Sequence, residues 1–141
     1  MNSRSFKSIS GRDLTIRSRR SAVIFEKSPE DLSSRFSMQF SFEPEVFAEL
    51  IEYIEDVASK SWPNLQPVEA RNLSSDYHEY YDREFGNNGY LSIRGNALNF
   101  DRPSLQSDRL YQFDKRKMAS FVYDLLKLQI KARNKELMMQ A

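Results

Sequence analysis

RFSMQFSFEPEVFAELIEYIEDVASKSW, residues 35–62, changes hydrophobic period from two to 3.6 within a few positions. In its first part Phe36, Met38, Phe40 and Phe42 alternate with Arg35, Ser37, Gln39 and Ser41, which on a pleated strand places every large side chain on one face. That apolar face requires a cover. The second part supplies one, because Val46, Phe47, Leu50, Ile51, Ile54, Val57 and Ala58 recur at the spacing of a helical stripe. Pro44 suits a first helical turn, where no N–H is needed, and Glu43 and Glu45 sit favourably at the positive helix end. Glu49, Glu52, Glu55 and Asp56 form an acidic outer face. The helix is predicted over about 44–60 and stops before Pro63, with Trp62 as an apolar plug beneath it.

Working outward, a second helix is predicted over about 114–136. Asp114 is its N-cap, and Met118, Phe121, Val122, Leu125, Leu128 and Ala132 are its buried stripe. Lys127, Lys131, Arg133 and Lys135 complement the negative end of that helix, and the final KELMMQA segment is expected to fray. Upstream, DLTIRS (13–18) and SAVIFEK (21–27) read as two strands, and PVEARNLS (67–74) as another.

YLSIRGNALNF (90–100) reads as a hairpin. Gly95-Asn96 suits a two-residue type II′ turn, which pairs Arg94 with Ala97, Ile93 with Leu98 and Leu91 with Phe100, so that both apolar pairs share a face. The preceding DYHEYYDREF (76–85) is read as a strand. A four-residue loop, Gly86-Asn87-Asn88-Gly89, would turn Tyr77, Tyr81, Phe85 and Tyr90 away from the aliphatic core face unless a glycine bulge restores a common one. Neither helix lies between parallel strands, so the expected fold is α+β: one domain over residues 1–141, with a mainly antiparallel sheet of about five to seven short strands packed by two amphipathic helices. Residues 1–12, polar and Ser-rich, read as a mobile basic arm.

Composition narrows the function. The 141 residues contain no cysteine, which excludes a disulfide framework, a thiolate zinc site and a thiol nucleophile. No apolar run approaches the roughly 18 residues of a membrane span and no apolar leader opens the chain, so a cytoplasmic protein without membrane contact is expected. His78, the single histidine, lies near Asp76, Asp82 and Glu84. One imidazole without further nitrogen or sulfur ligands makes a poor metal site, and no metal or cofactor is expected. A nucleophile elbow, a Walker loop and a dinucleotide fingerprint are all missing from the sequence.

Charge is unevenly spread. Residues 1–27 carry seven cations against Asp13 and Glu26, net +5, and residues 127–141 carry four against Glu136, net +3, which leaves the middle at −7. Basic ends around an acidic middle suit polyanion binding, or docking on that middle in cis or in a homodimer. The expected function is a non-enzymatic protein-binding module, comparable in size and charge to immunity proteins, antitoxins, secretion chaperones and phage accessory proteins. Its contact face would be Tyr77, Tyr81, Phe85 and Tyr90, flanked by Glu79, Asp82 and Glu84, which favour a partner with a basic surface. The alternative is a nucleic-acid-binding module using Arg4, Lys7, Arg12, Arg17, Arg19 and Arg20. A small enzyme of unknown reaction is the third reading.

Overall fold

The computed structural model describes residues 2–32, 35–70, 77, 89–101, 105 and 108–140. Among these residues seven antiparallel strands and two helices follow the order β1 (Asn2–Lys7), β2 (Asp13–Arg19), β3 (Ala22–Lys27), β4 (Ser37–Ser41), α1 (Pro44–Ser61), β5 (Tyr90–Arg94), β6 (Ala97–Asp101), β7 (Arg109–Phe113) and α2 (Lys115–Gln140). The α+β class holds, but the strands divide into two sheets, β1-β2-β3-β7 and β4-β6-β5.

The four-stranded sheet has one apolar face. Phe6 pairs with Leu14, Ile16 with Phe25, Phe25 with Tyr111 and Val23 with Phe113, and all of these are buried. The opposite face carries Ser5 hydrogen-bonded to Thr15 at 2.8 Å and Arg17 paired with Glu26. In the three-stranded sheet Leu91 stands opposite Phe100 and Ile93 opposite Leu98, the register that Gly95-Asn96 requires. Gly95 has φ +61 whereas Asn96 does not have a positive φ, the sign pattern of a type II′ turn. Met38 and Phe40 of β4 join the same apolar face.

Both sheets and both helices close on one core. Phe25 is at its centre, its ring 5.9 Å from Phe100, 5.1 Å from Phe113 and 6.0 Å from Phe121, all at edge-on angles that suit the aromatic quadrupole. One aromatic side chain thereby joins the two sheets to α2. The expected α1 stripe is buried from Phe47 to Ala58, and Val46 packs partly against it. Trp62 is 8 % exposed, as its role under the helix end requires.

Five local expectations need correction. Residues 2–7 form a paired edge strand and not an arm, because Phe6 has a place in the core beside Tyr53 at 5.8 Å. Phe36 precedes β4 and is exposed, so the apolar face begins at Met38. Residues 67–70, expected to open a strand, have no regular structure, and Val68 donates its N–H to Ala119 O at 3.2 Å. The rest of that expected strand, and all of 76–85 except Tyr77, lie outside the described residues. On α2 the buried stripe ends at Leu125, with Leu128 half-buried and Ala132 exposed, while the helix extends past 136 to Gln140. Finally, β7 escaped sequence reading. Its consecutive Leu110 and Tyr111 are both buried, and a register shift at Phe25/Glu26 opposite it breaks the period of two.

Candidate functional site

The six N-terminal cations separate into two groups. Arg4 Nη2 donates to Glu49 Oε2 of α1 at 3.0 Å, and its guanidinium lies 4.6 Å from the Phe6 ring centre. Lys7 is 3.8 Å from Asp13, and Arg17 pairs with Glu26. Arg12 lies 3.9 Å from Asp31, donates to Gln39 O at 2.7 Å, and covers the Phe40 ring at 4.9 Å. These four cations have partners within the fold: Arg4 reaches α1, and Arg12, in the β1–β2 connection, reaches the outer edge of β4. Ile9 N–H donates to Ser41 O at 2.7 Å on that same edge, which closes it further.

Arg19 and Arg20 differ. Arg19 pairs with Ala22, so Arg20-Ser21 is the two-residue tip of the β2–β3 hairpin. Both arginines are exposed, and among the described residues neither has a carboxylate within ion-pair distance. Ser21 has φ 64, a left-handed conformation that costs a residue with a Cβ roughly 1–2 kcal/mol. Docking on α1 holds it there. Ser21 N–H donates to Ser61 O at 3.3 Å, and the buried Ser61 hydroxyl lies 2.8 Å from Arg19 O and 3.3 Å from Ala22 O, with its one proton to share between them. Behind the tip, two adjoining recesses of about 420 and 240 Å³ share Arg20, Lys60 and Ser61, and the larger also reaches Trp62, Asn64 and Lys115.

Of the expected aromatic contact face, two residues are described, and they part company. Tyr77 is 4 % exposed and belongs to the core. Its ring meets Phe121 edge-on at 5.0 Å, its hydroxyl donates to Asp124 Oδ2 at 2.7 Å, and its carbonyl accepts the Tyr111 hydroxyl. It is therefore not a surface anchor. Tyr90 is 40 % exposed, opposite Asp101 at the start of β5. Tyr81, Phe85, Glu79, Asp82 and Glu84, like His78 and Asp76, lie outside the described residues.

The distal half of α2 presents a surface that sequence reading assigned to core and to fraying. Ile130 and Leu137, seven residues apart, share a helix face, with exposures of 59 and 60 %, and Met138 beside them is 79 % exposed. At about 100° per residue this face is turned roughly 140° from buried Leu125. Lys127, Lys131, Arg133 and Lys135 are exposed around it. A signal was available: Ile130 does not fit the Met118–Phe121–Val122–Leu125 stripe, and an apolar residue off the stripe is a second face. Nearer the body, Lys127 and Lys131 border a recess of about 340 Å³ with Asp124, Ser92 and Ile93.

Three carboxylates have shifted pKa values, and the exposed Glu30 is lowered by the hydrogen bond it accepts from the Ser28 hydroxyl. Partial desolvation, the largest single influence on Asp114, would raise its pKa, but the Lys117 N–H at 2.8 Å and the Lys117 ammonium together hold it below the usual value, as befits an N-cap. Burial, with the Glu52 carboxylate nearby, raises Glu55. Among the described residues no helix is long and apolar enough to cross a membrane, and no three Asp, Glu or His side chains come together as a metal cluster. No protein-family model matches the chain, and neither a curated protein nor a solved structure is significantly similar to it.

Proposed function

We propose that this chain is a non-enzymatic binding protein whose partner is another protein, engaged by the distal half of α2. The observation that carries this reading is the uncovered face of Ile130, Leu137 and Met138 set among Lys127, Lys131, Arg133 and Lys135. An amphipathic helix that leaves its apolar residues in water is the usual donor in helix-in-groove recognition. The cations select the partner. A second copy would bring four cations against four, whereas an apolar groove rimmed by carboxylates would neutralise them. The expectation of a basic partner surface rested on Glu79, Asp82 and Glu84; the described residues favour an acidic one.

The test is capture from lysate of the source cells, with and without nuclease, by the wild-type chain and by Ile130→Asp/Leu137→Asp. A protein retained after nuclease by the wild type and lost by the variant, at unchanged melting temperature, supports the reading. Retention by the variant refutes it. A dimer by light scattering that the same variant converts to monomer would transfer the surface to self-association.

A further inference from the structure

Arg4, Lys7, Arg12 and Arg17 are paired within the fold, and a second set of cations gathers near the N-terminal end of α2. Arg19 and Arg20 at the hairpin tip, Lys60 in the last turn of α1 and Lys115 in the first turn of α2 come from three separate elements and line the same pair of recesses. Among the described residues Arg19, Arg20 and Lys115 have no ion-pair partner, and Lys60 is held 3.0 Å from Asp56. A folded chain spreads like charges apart unless something offsets their repulsion, and here the Ser61 hydroxyl on Arg19 O and the Ser21 N–H on Ser61 O hold the backbone of the hairpin tip against the end of α1 that carries Lys60. The strained Ser21 turn is part of that arrangement.

We infer that this basic end is a binding site for the phosphate backbone of duplex nucleic acid, independent of the α2 surface proposed above. The chemistry selects the ligand class. Arginine guanidinium groups recognise phosphate oxygens by paired N–H donors, and the two lysines add point charges. Trp62, the aromatic residue lining these recesses, is 8 % exposed and packed under α1, so it offers no platform on which an unpaired base could stack. Contacts of this kind carry affinity without sequence preference. The site is about 22 Å along α2 from Ile130, taking 1.5 Å per residue, so both surfaces can be occupied together.

The experiment is fluorescence anisotropy of the full chain with a labelled DNA duplex of mixed sequence across a salt series, with the single strand of equal length and inorganic phosphate as competitors. The three cations of this site that have no ion-pair partner among the described residues give a slope of log K against log salt of about −2.7, a loss of about 40-fold between roughly 50 and 200 mM salt. Arg19→Gln/Arg20→Gln reduces the slope to about −0.9 and that loss to about 3.5-fold. Lys115→Gln alone, on a different element, removes about one third of the slope. Arg4→Gln/Lys7→Gln serves as the control and leaves the slope within about 0.3 of wild type, since those cations already have partners. An equal effect of the control, no effect of the tip variant, preference for the single strand, or displacement of duplex by low-millimolar phosphate would each overturn the inference. Circular dichroism on each variant confirms that folding is intact, and Ile130→Asp/Leu137→Asp, which removes the α2 surface, leaves duplex binding unchanged.

Discussion

Phe121 and Ile130 are nine residues apart on α2, and truncating each to alanine should have opposite consequences. Phe121 is fully buried, with ring contacts to Tyr77 at 5.0 Å, Phe113 at 5.0 Å and Phe25 at 6.0 Å. Removing a buried phenylalanine costs about 3–5 kcal/mol in lost transfer energy and cavity. Since each aromatic pair adds about 0.5–1.5 kcal/mol beyond its buried area, the upper end of that range is expected, about 4–5 kcal/mol. A domain of this length has a total stability of about 7–20 kcal/mol, so the variant still folds. With an urea slope of about 2 kcal/mol/M, its midpoint falls by about 2 M. Ile130→Ala removes a side chain that is mostly in water. Alanine is also the better helix former by a few tenths of a kcal/mol, so the midpoint should move by less than about 0.25 M in either direction. Urea denaturation followed by far-ultraviolet circular dichroism measures both. A loss below about 1.5 kcal/mol for Phe121→Ala would show that the aromatic cluster is not the centre of the core. A loss above about 1 kcal/mol for Ile130→Ala would show that the distal face is already covered within the fold, and the proposed contact surface would fail with it.

Three further outcomes are expected. Asp114→Ala should lower stability by about 1 kcal/mol at neutral pH; because the folded carboxyl has the lower pKa, this contribution is full above the unfolded value near about 3.9 and disappears as pH falls through the folded one, so the gap between variant and wild type should close in acid melts. Ser21→Gly relieves the left-handed strain at φ 64 but loosens the unfolded chain, for a net gain of at most about 1 kcal/mol in thermal melts, and a clear loss would mean that the serine side chain makes a contact of its own. Gly95→Ala would place a Cβ in open space at φ +61, so its cost of about 1–2 kcal/mol is purely conformational, and a neutral result in the same melts would contradict the turn assignment.

Local pattern by itself determined the α1 stripe, the Asp114 cap and the β5–β6 register, because each depends on residues within a few positions of one another: a 3.6 period, a side-chain oxygen three residues before an N–H, a two-residue turn that permits one pairing. Tertiary structure decided what depends on residues far apart. The separation into two sheets, which Phe25 bridges by meeting Phe100 and Phe121, depends on which distant strands pair, and periodicity does not encode that. The uneven use of the basic N-terminal residues is of the same kind. Arg4 is matched by Glu49, 45 positions away, and Arg12 by the β4 carbonyl of Gln39, whereas Ser61 holds the backbone of the hairpin tip, and the tip arginines line recesses that Lys60 and Lys115 also line. A cation in a sequence is only a charge. Whether it closes an ion pair within the fold or remains for a ligand depends on which distant carboxylate the fold places within about 4 Å, since Coulomb attraction between exposed groups is strong only at contact.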